Sequence, residues 1–180
     1  MPTRPPRPLT PESVKRSVLA YVQRYSAPRA HTRRRWMQRI QRQGTTTGED
    51  TAPLVVALDA VLDLGERYRF VDDAAFAASR SRRALARGVA PGRVQAQLTA
   101  KGVSRALAAE AVAAEGGPDA GVAAAFAYAR RRRLGVWRAP GERKEHHQRD
   151  LAALARAGFG YALALRALAG EPEEEVEEEE

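Results

Sequence analysis

The sequence predicts an all-α protein in which tandem three-helix repeats form a short curved solenoid. Three observations carry that reading. β-Branched runs and sustained two-residue alternation, the marks of strands, are nearly absent. Glycine and proline punctuate the chain at helical intervals. And a stretch returns: LTAKGVSRALAAEAV at 98–112 lines up with LARAGFGYALALRAL at 154–168. Leu98, Gly102, Ala106, Leu107, Ala108 and Ala111 recur unchanged at Leu154, Gly158, Ala162, Leu163, Ala164 and Ala167, while Val103 and Val112 become Phe159 and Leu168. A period of roughly 50 to 58 residues, each copy a helix triplet, is the mark of an α-solenoid. Ile40-Gln41-Arg42-Gln43-Gly44 supplies a fainter first copy, ahead of a Thr-rich insertion, TTTGED.

The elements follow in order. Residues 1–9 form a Pro-rich arm expected to be disordered, since MPTRPPRPLTP holds five prolines and no apolar segment that could serve as a signal peptide. The first triplet spans 10–66. Thr10-Pro11-Glu12 reads as an N-cap, a proline at the first helical position and an acid in the first turn, with Leu9 and Val14 spaced as a hydrophobic staple. That helix should run from Pro11 to Tyr25. A second, from Pro28 to Gln43, should end at Gly44, and a third, from Pro53, at Gly65. In the second triplet, 67–116, a helix from Asp72 should reach Arg87 before Gly88. Pro91 opens the next, ending at Gly102, and Ser104 caps one through Ala114. In the third, 117–170, a helix from Asp119 should end near Leu134-Gly135, the next should span Pro140 to Ala157, and the last should run from Gly158 to Ala169-Gly170. The tail, EPEEEVEEEE at 171–180, should stay unfolded and solvated.

Charge is divided unequally along the chain. The net charge is +8, but eight of the 22 acidic residues lie in the last ten positions. Residues 1–170 therefore hold 30 lysines and arginines against 14 acids, a net of +16. A body that basic attracts polyanions or acidic protein surfaces. Only Lys15, Lys101 and Lys144 are lysines. The arginine excess suits bidentate contacts to phosphate or carboxylate, and it equally fits a GC-rich codon bias. The glutamates could fold back as an intramolecular decoy for the partner or simply aid solubility. No stretch approaches 18 apolar residues, so no membrane span is expected. The absence of cysteine removes disulfides, thiolate metal sites and cysteine nucleophiles. The expectation is a soluble cytoplasmic monomer.

Catalysis has no candidate residues. No P-loop, GxGxxG or nucleophile elbow occurs. Asp72 and Asp73 are read as helix caps rather than a catalytic or metal pair. Val71 and Phe76 form a staple around them, Asp72 can accept the N–H of Ala74 or Ala75, and Asp73 meets the positive helix end. A working pair would need a third polar group to raise one pKa, and none is identifiable nearby. Ser104 is a third cap. His146 and His147 diverge by about 100° on a helix, which does not suit chelation, and His31 is isolated. These histidines are expected to face solvent, with neither a metal nor a cofactor bound.

Arginine geometry remains. On the second helix, Arg35, Arg39 and Arg42 lie within about 60° of one another, opposite Trp36, Met37 and Ile40. On the helix after Asp72, Arg80, Arg83 and Arg87 do the same, with Phe76 in their sector and Ala74, Ala78 and Leu85 roughly opposite. These six are the candidate partner-binding residues; the alternative is two solvated faces. Arg130 to Arg133 point all round their helix and favour its negative end. Trp36 is read as core, whereas Trp137 sits in a loop and is open to stacking on a base.

The runs RYRFVDDAAFAASRSRR and RGVAPGRVQAQLTAKGV, followed by the triple-helix repeat, closely resemble the RecX family of bacterial recombination regulators. The likeness covers about residues 12–169 and is strongest from 66 to 112. The chain departs from the family pattern in its Pro-rich start, its Thr-rich insertion and its Glu-rich tail. The resemblance implies a non-enzymatic regulator that lodges in the groove of the RecA filament on single-stranded DNA. It would damp the filament's ATPase, strand-exchange and coprotease activities in DNA repair and the SOS response. It carries over no catalytic residues. The alternative is a protein that binds nucleic acid directly through its basic faces.

Overall fold

A computed structural model describes residues 8–170. The arm as far as residue 7 and the tail at 171–180 lie outside the described residues. Among the described residues the fold is helical throughout, and no helix is long and apolar enough to cross a membrane. Mutual contacts divide the chain into two compact units. Of the described residues, the first takes 8–76 and Lys101–Val103, and the second Ala77–Ala100 and 104–170.

The first unit holds α1 (Pro11–Arg24), α2 (Arg29–Thr47) and α3 (Ala52–Arg67). Thr10 and Ser13 form a reciprocal capping box, the Ser13 N–H donating to Thr10 Oγ1 at 3.2 Å and the Thr10 N–H to Ser13 Oγ at 2.8 Å. Val14, Val18 and Val22 recur every four residues and so form one buried stripe of α1. They meet Trp36 and Ile40 of α2 and Leu54, Leu58, Val61 and Leu62 of α3. Trp36 is 5% exposed, its Nε1–H donates to Ser17 Oγ at 3.2 Å, and its ring lies 5.0 Å from that of Tyr21. Leu9 packs against the same core, and the Gln43 amide donates to the Leu9 carbonyl at 3.2 Å.

Two helix ends differ from the expectation. α2 does not stop at Gly44. It continues through Thr45, Thr46 and Thr47, whose hydroxyls donate to the carbonyls of Gln41, Arg42 and Gln43 at 3.0, 2.8 and 3.2 Å, and ends at Gly48. Back-bonding of this kind gives a threonine run helical partners. Ile40–Gly44 is therefore helix interior and not a first copy of the later glycine turns. α3 likewise passes Gly65, which is buried against Val71; a Cβ there would sit 2.9 Å from Val71 Cγ2. The chain reverses at Arg69 instead, and the N–H groups of Phe70 and Val71 both donate to the Gly65 carbonyl, at 2.8 and 3.0 Å.

The second unit takes most of α4 (Asp73–Ala86) together with α5 (Pro91–Ala100), α6 (Arg105–Ala114), α7 (Ala120–Arg132), α8 (Arg143–Ala157) and α9 (Tyr161–Ala169). Its core is rich in alanine: Ala77, Ala108, Ala124, Ala125, Ala129, Ala164 and Ala167 are buried beside Val94, Leu98, Leu154 and Leu168. Such small side chains set short distances between helix axes. On α4 the buried stripe is Ala77, Ser81, Ala84 and Leu85, so the face assigned to Ala74, Ala78 and Leu85 is rotated: Ala74 is exposed and Ala78 half-buried.

The recurrence at 98–112 and 154–168 appears in three dimensions. Leu98 and Leu154 are fully buried, as are Ala108 and Ala164, and Val103 and Phe159 are nearly so. Between the helices of each pair, Gly102 and Gly158 take φ of +98° and +96°, the left-handed region that a side chain opposes.

The third segment brings further corrections. α7 ends at Arg132, and Arg133 itself adopts the left-handed conformation with φ 54°, so only Arg130, Arg131 and Arg132 of the arginine run are helical. Trp137 is not free. It ends a 3₁₀ turn over Gly135–Trp137, is half-buried, and meets Phe126 edge-on at 6.0 Å. A second 3₁₀ turn, Pro140–Glu142, precedes α8, which starts at Arg143 rather than at Pro140.

Candidate binding surface

The arginines of α2 divide into two sets by phase. Arg29 and Arg33 face α3 and are consumed there. Arg33 makes a bidentate pair with Asp59, at 2.7 and 3.1 Å, while Arg29 reaches Asp63 at 2.7 Å and Glu66 at 2.8 Å. The hydrogen bond from Arg33 holds the Asp59 carboxyl below its ordinary pKa. Arg35, Arg39 and Arg42 are exposed on the opposite side, and none pairs with a carboxylate among the described residues. The Arg35 guanidinium lies over the rings of Tyr21 and Trp36 at 5.4 and 5.8 Å, and Arg42 Nε donates to the Gln38 carbonyl at 3.1 Å. The acids of α3 thus neutralise the inward set and leave the outward set available.

α4 repeats the pattern. Arg82 forms a bidentate pair with Glu115, both bonds 2.8 Å. Arg80 and Arg83 of α4, and Arg87, which lies in the turn just past the end of α4 at Ala86 and not in the helix as expected, are all exposed and have no carboxylate partner among the described residues; Arg83 Nε donates to the Ser79 carbonyl at 3.1 Å. Arg35, Arg39 and Arg42 belong to the first unit, and Arg80, Arg83 and Arg87 to the second.

The two adjacent aspartates cap two different helices. Asp72 Oδ1 accepts the Ala75 N–H at 2.9 Å, at the start of α4. Asp73 Oδ1 accepts the Arg29 N–H at 2.8 Å, at the start of α2. Pro28, the residue before α2, offers no side-chain cap of its own. Ser104 Oγ accepts the Leu107 N–H at 3.2 Å. Among the described residues no three acids or histidines are grouped so as to hold a metal ion.

Two features were not anticipated. Tyr68 and Phe70, 62% and 45% exposed with rings 6.5 Å apart, form an aromatic pair on the first unit; their aromatic-x-aromatic spacing was the available signal. The second is an open cleft of about 590 Å³ within the second unit. Arg93 of α5, Arg132 of α7, Arg138, and Arg149 and Arg156 of α8 line it, with a single carboxylate, Asp150. Asp150 is 1% exposed and fully engaged: Arg138 donates to its two oxygens at 2.8 and 3.3 Å, and the Gly135 N–H at 3.0 Å. Burial alone would raise its pKa, but the bonds from Arg138 and Gly135 outweigh burial and hold it below the usual carboxylate value. His146, expected to face solvent, is half-buried in this cleft. His31 is half-buried too, its Nδ1 without a hydrogen-bond partner among the described residues, and burial followed by the charges of Lys101, Arg34 and Arg35 lowers its pKa.

Comparison with known proteins gives two matches. Residues 72–112, which span α4 to α6, match the family model described as RecX, second three-helix domain. The chain is also 30% identical over 168 residues to "Regulatory protein RecX" of Myxococcus xanthus, an alignment that covers 93% of this chain and 90% of that protein. No solved structure matches.

Proposed function

The chain belongs to the RecX family, and from that membership we propose that it binds the RecA filament on single-stranded DNA and damps its activities. The regulation is mainly inhibitory and falls on ATPase, strand exchange and coprotease function. The protein acts without catalysis or cofactor, as a cytoplasmic monomer. The observation that carries this reading is the identity with a RecX regulatory protein across 93% of the chain, which takes in both arginine stripes. Exposed guanidiniums free of carboxylates among the described residues support it, because they can make bidentate bonds to phosphates or to acidic side chains. Arg35, Arg39, Arg42, Arg80, Arg83 and Arg87 are the proposed contacts, and helix triplets in tandem would offer successive filament subunits repeated surfaces.

A second reading, direct binding of nucleic acid with filament effects following from coated DNA, draws on the net charge of +16 over residues 1–170. Titration of the chain against RecA ATPase separates the two. The filament reading predicts inhibition at far less protein than coats the DNA. Inhibition only at DNA-saturating protein, weakening steeply with salt, would favour the second.

A further inference from the structure

The arginine cleft of the second unit is a built site, distinct from both arginine stripes. Its α8 wall is a single helical face: His146, Arg149, Asp150, Ala153, Arg156 and Ala157 recur at three- and four-residue spacing. Two of its guanidiniums are fixed in place. Arg138 is locked by the buried Asp150 carboxylate, and Arg93 donates to the Arg156 carbonyl near the C-terminal end of α8. Arg132 stacks over Tyr128, 5.7 Å from the ring centroid. Arg149 and Arg156 are exposed, and neither these two nor Arg132 has a carboxylate partner among the described residues.

Five arginines lining one concavity repel one another; Asp150, the one carboxylate among the lining residues, is already satisfied, and Glu142 reaches only Arg138, at 3.7 Å. A concave wall of one sign concentrates its field and raises the local concentration of the opposite charge. Each guanidinium presents a planar fork of donors matched to phosphate oxygens. The volume, about 590 Å³, falls in the range of small-molecule sites and exceeds what one phosphate would fill. Leu134, Ala153 and Ala157 add apolar wall beside the charged groups, as a ligand with both phosphates and a nucleoside would require.

We propose that this cleft binds consecutive phosphate groups, those of a single-stranded nucleic acid or of a nucleoside polyphosphate. Arg149 and Arg156 make the first contacts, Arg93, already oriented, contributes its remaining N–H groups at low entropic cost, and Arg138, held by Asp150 and Glu142, adds its charge to the wall.

The test uses the full chain and two probes, a fluorescent oligothymidylate of about twenty nucleotides (long enough for a binding site) followed by anisotropy, and inorganic tripolyphosphate followed by calorimetry. The double variant Arg149→Glu/Arg156→Glu is expected to lose at least tenfold in affinity, and Arg149→Gln/Arg156→Gln to lose less. For the oligonucleotide, the slope of log affinity against log salt should fall by about 1.4, two contacts at about 0.7 each. Loss for the oligonucleotide, with or without tripolyphosphate, assigns the cleft to a strand; loss for tripolyphosphate alone assigns it to free polyphosphates. Affinity within twofold of the unaltered chain for both probes, in variants that keep native circular dichroism, would overturn the proposal, as would failure of the unaltered chain to bind either. RecA ATPase inhibition, measured in parallel, reports on the filament reading separately.

Discussion

The Asp73 carboxylate accepts the backbone N–H of Arg29 at 2.8 Å, across 44 residues of sequence. α2 begins after a proline that cannot cap it, so an acid at the start of α4 supplies the acceptor that the first turn of α2 lacks. Asp73→Ala should cost about 1 kcal/mol, the usual worth of an N-cap. Urea denaturation measures it. An unchanged midpoint would show that water replaces the carboxylate without loss.

Asp72 should make stability depend on acid. The Ala75 N–H, and after it the charge of Arg69, hold its carboxyl below the ordinary value against the opposing effect of burial. The folded pKa is thus lower than the unfolded one, about 3.9. The contribution is complete above that pH and is lost as pH falls through the folded value. Asp72→Ala should be about 1 kcal/mol less stable at neutral pH, with partner binding intact, and the gap should close below about pH 4. A gap that persists at pH 2 would remove the carboxylate charge from the account.

Asp150 is the costlier acid to remove. Asp150→Ala leaves the Gly135 N–H without its acceptor and leaves Arg138, 22% exposed, with only the longer pair to Glu142, at 3.7 Å. Because Arg138 keeps Glu142 and part of its exposure, the main loss is the unsatisfied Gly135 N–H and the broken charged bond, about 2 kcal/mol. Chemical denaturation should register that loss; a shift below about 1 kcal/mol, the scale of a surface pair, would contradict it.

The two repeated glycines share a backbone conformation, but Gly102 is the more crowded: a Cβ there would sit 2.8 Å from Ala30 Cβ, against 3.4 Å from Ala90 Cβ at Gly158, so Gly102→Ala should cost the more. Gly102→Ala and Gly158→Ala each force a side chain into the left-handed region, at a cost of about 1–2 kcal/mol. Gly44→Ala, in the interior of α2, crowds Thr51 Cγ2 at 2.9 Å and otherwise makes ordinary contacts with the Glu49 carbonyl and Thr51 Oγ1, and gains roughly 1 kcal/mol of helix propensity against that crowding. Thermal melts should therefore separate Gly44 from the other two. A Gly158→Ala chain as stable as the unaltered one would show that the turn has another conformation available.

What the sequence revealed divides along the same lines. Helices announced by a local device were legible: Thr10-Pro11 opens α1, Ser104 opens α6, and Gly102 and Gly158 close α5 and α8. Gly44 and Gly65 look the same in one dimension, but neither ends its helix. Threonine back-bonding carries α2 onward, and Val71 needs the space that Gly65 leaves. The exposure of Arg35, Arg39, Arg42, Arg80 and Arg83 followed from helical phase, which needs no tertiary knowledge, whereas Arg87 is exposed in the turn after α4. The cleft was hidden because Arg93, Arg132 and Arg149 come from three helices. Only the spacing of His146, Arg149, Asp150 and Arg156 hinted that α8 has a charged face turned inward. Asp73 was read as serving its own helix, since nothing local relates it to Arg29.

The central proposal, that outward guanidiniums unclaimed by carboxylates among the described residues engage the filament, is tested most directly by one charge reversal. Arg80→Glu/Arg83→Glu/Arg87→Glu should abolish inhibition of RecA ATPase while the melting temperature stays close to that of the unaltered chain, because none of the three is buried or ion-paired among the described residues. Inhibition by this variant comparable to that of the unaltered chain would contradict the claim.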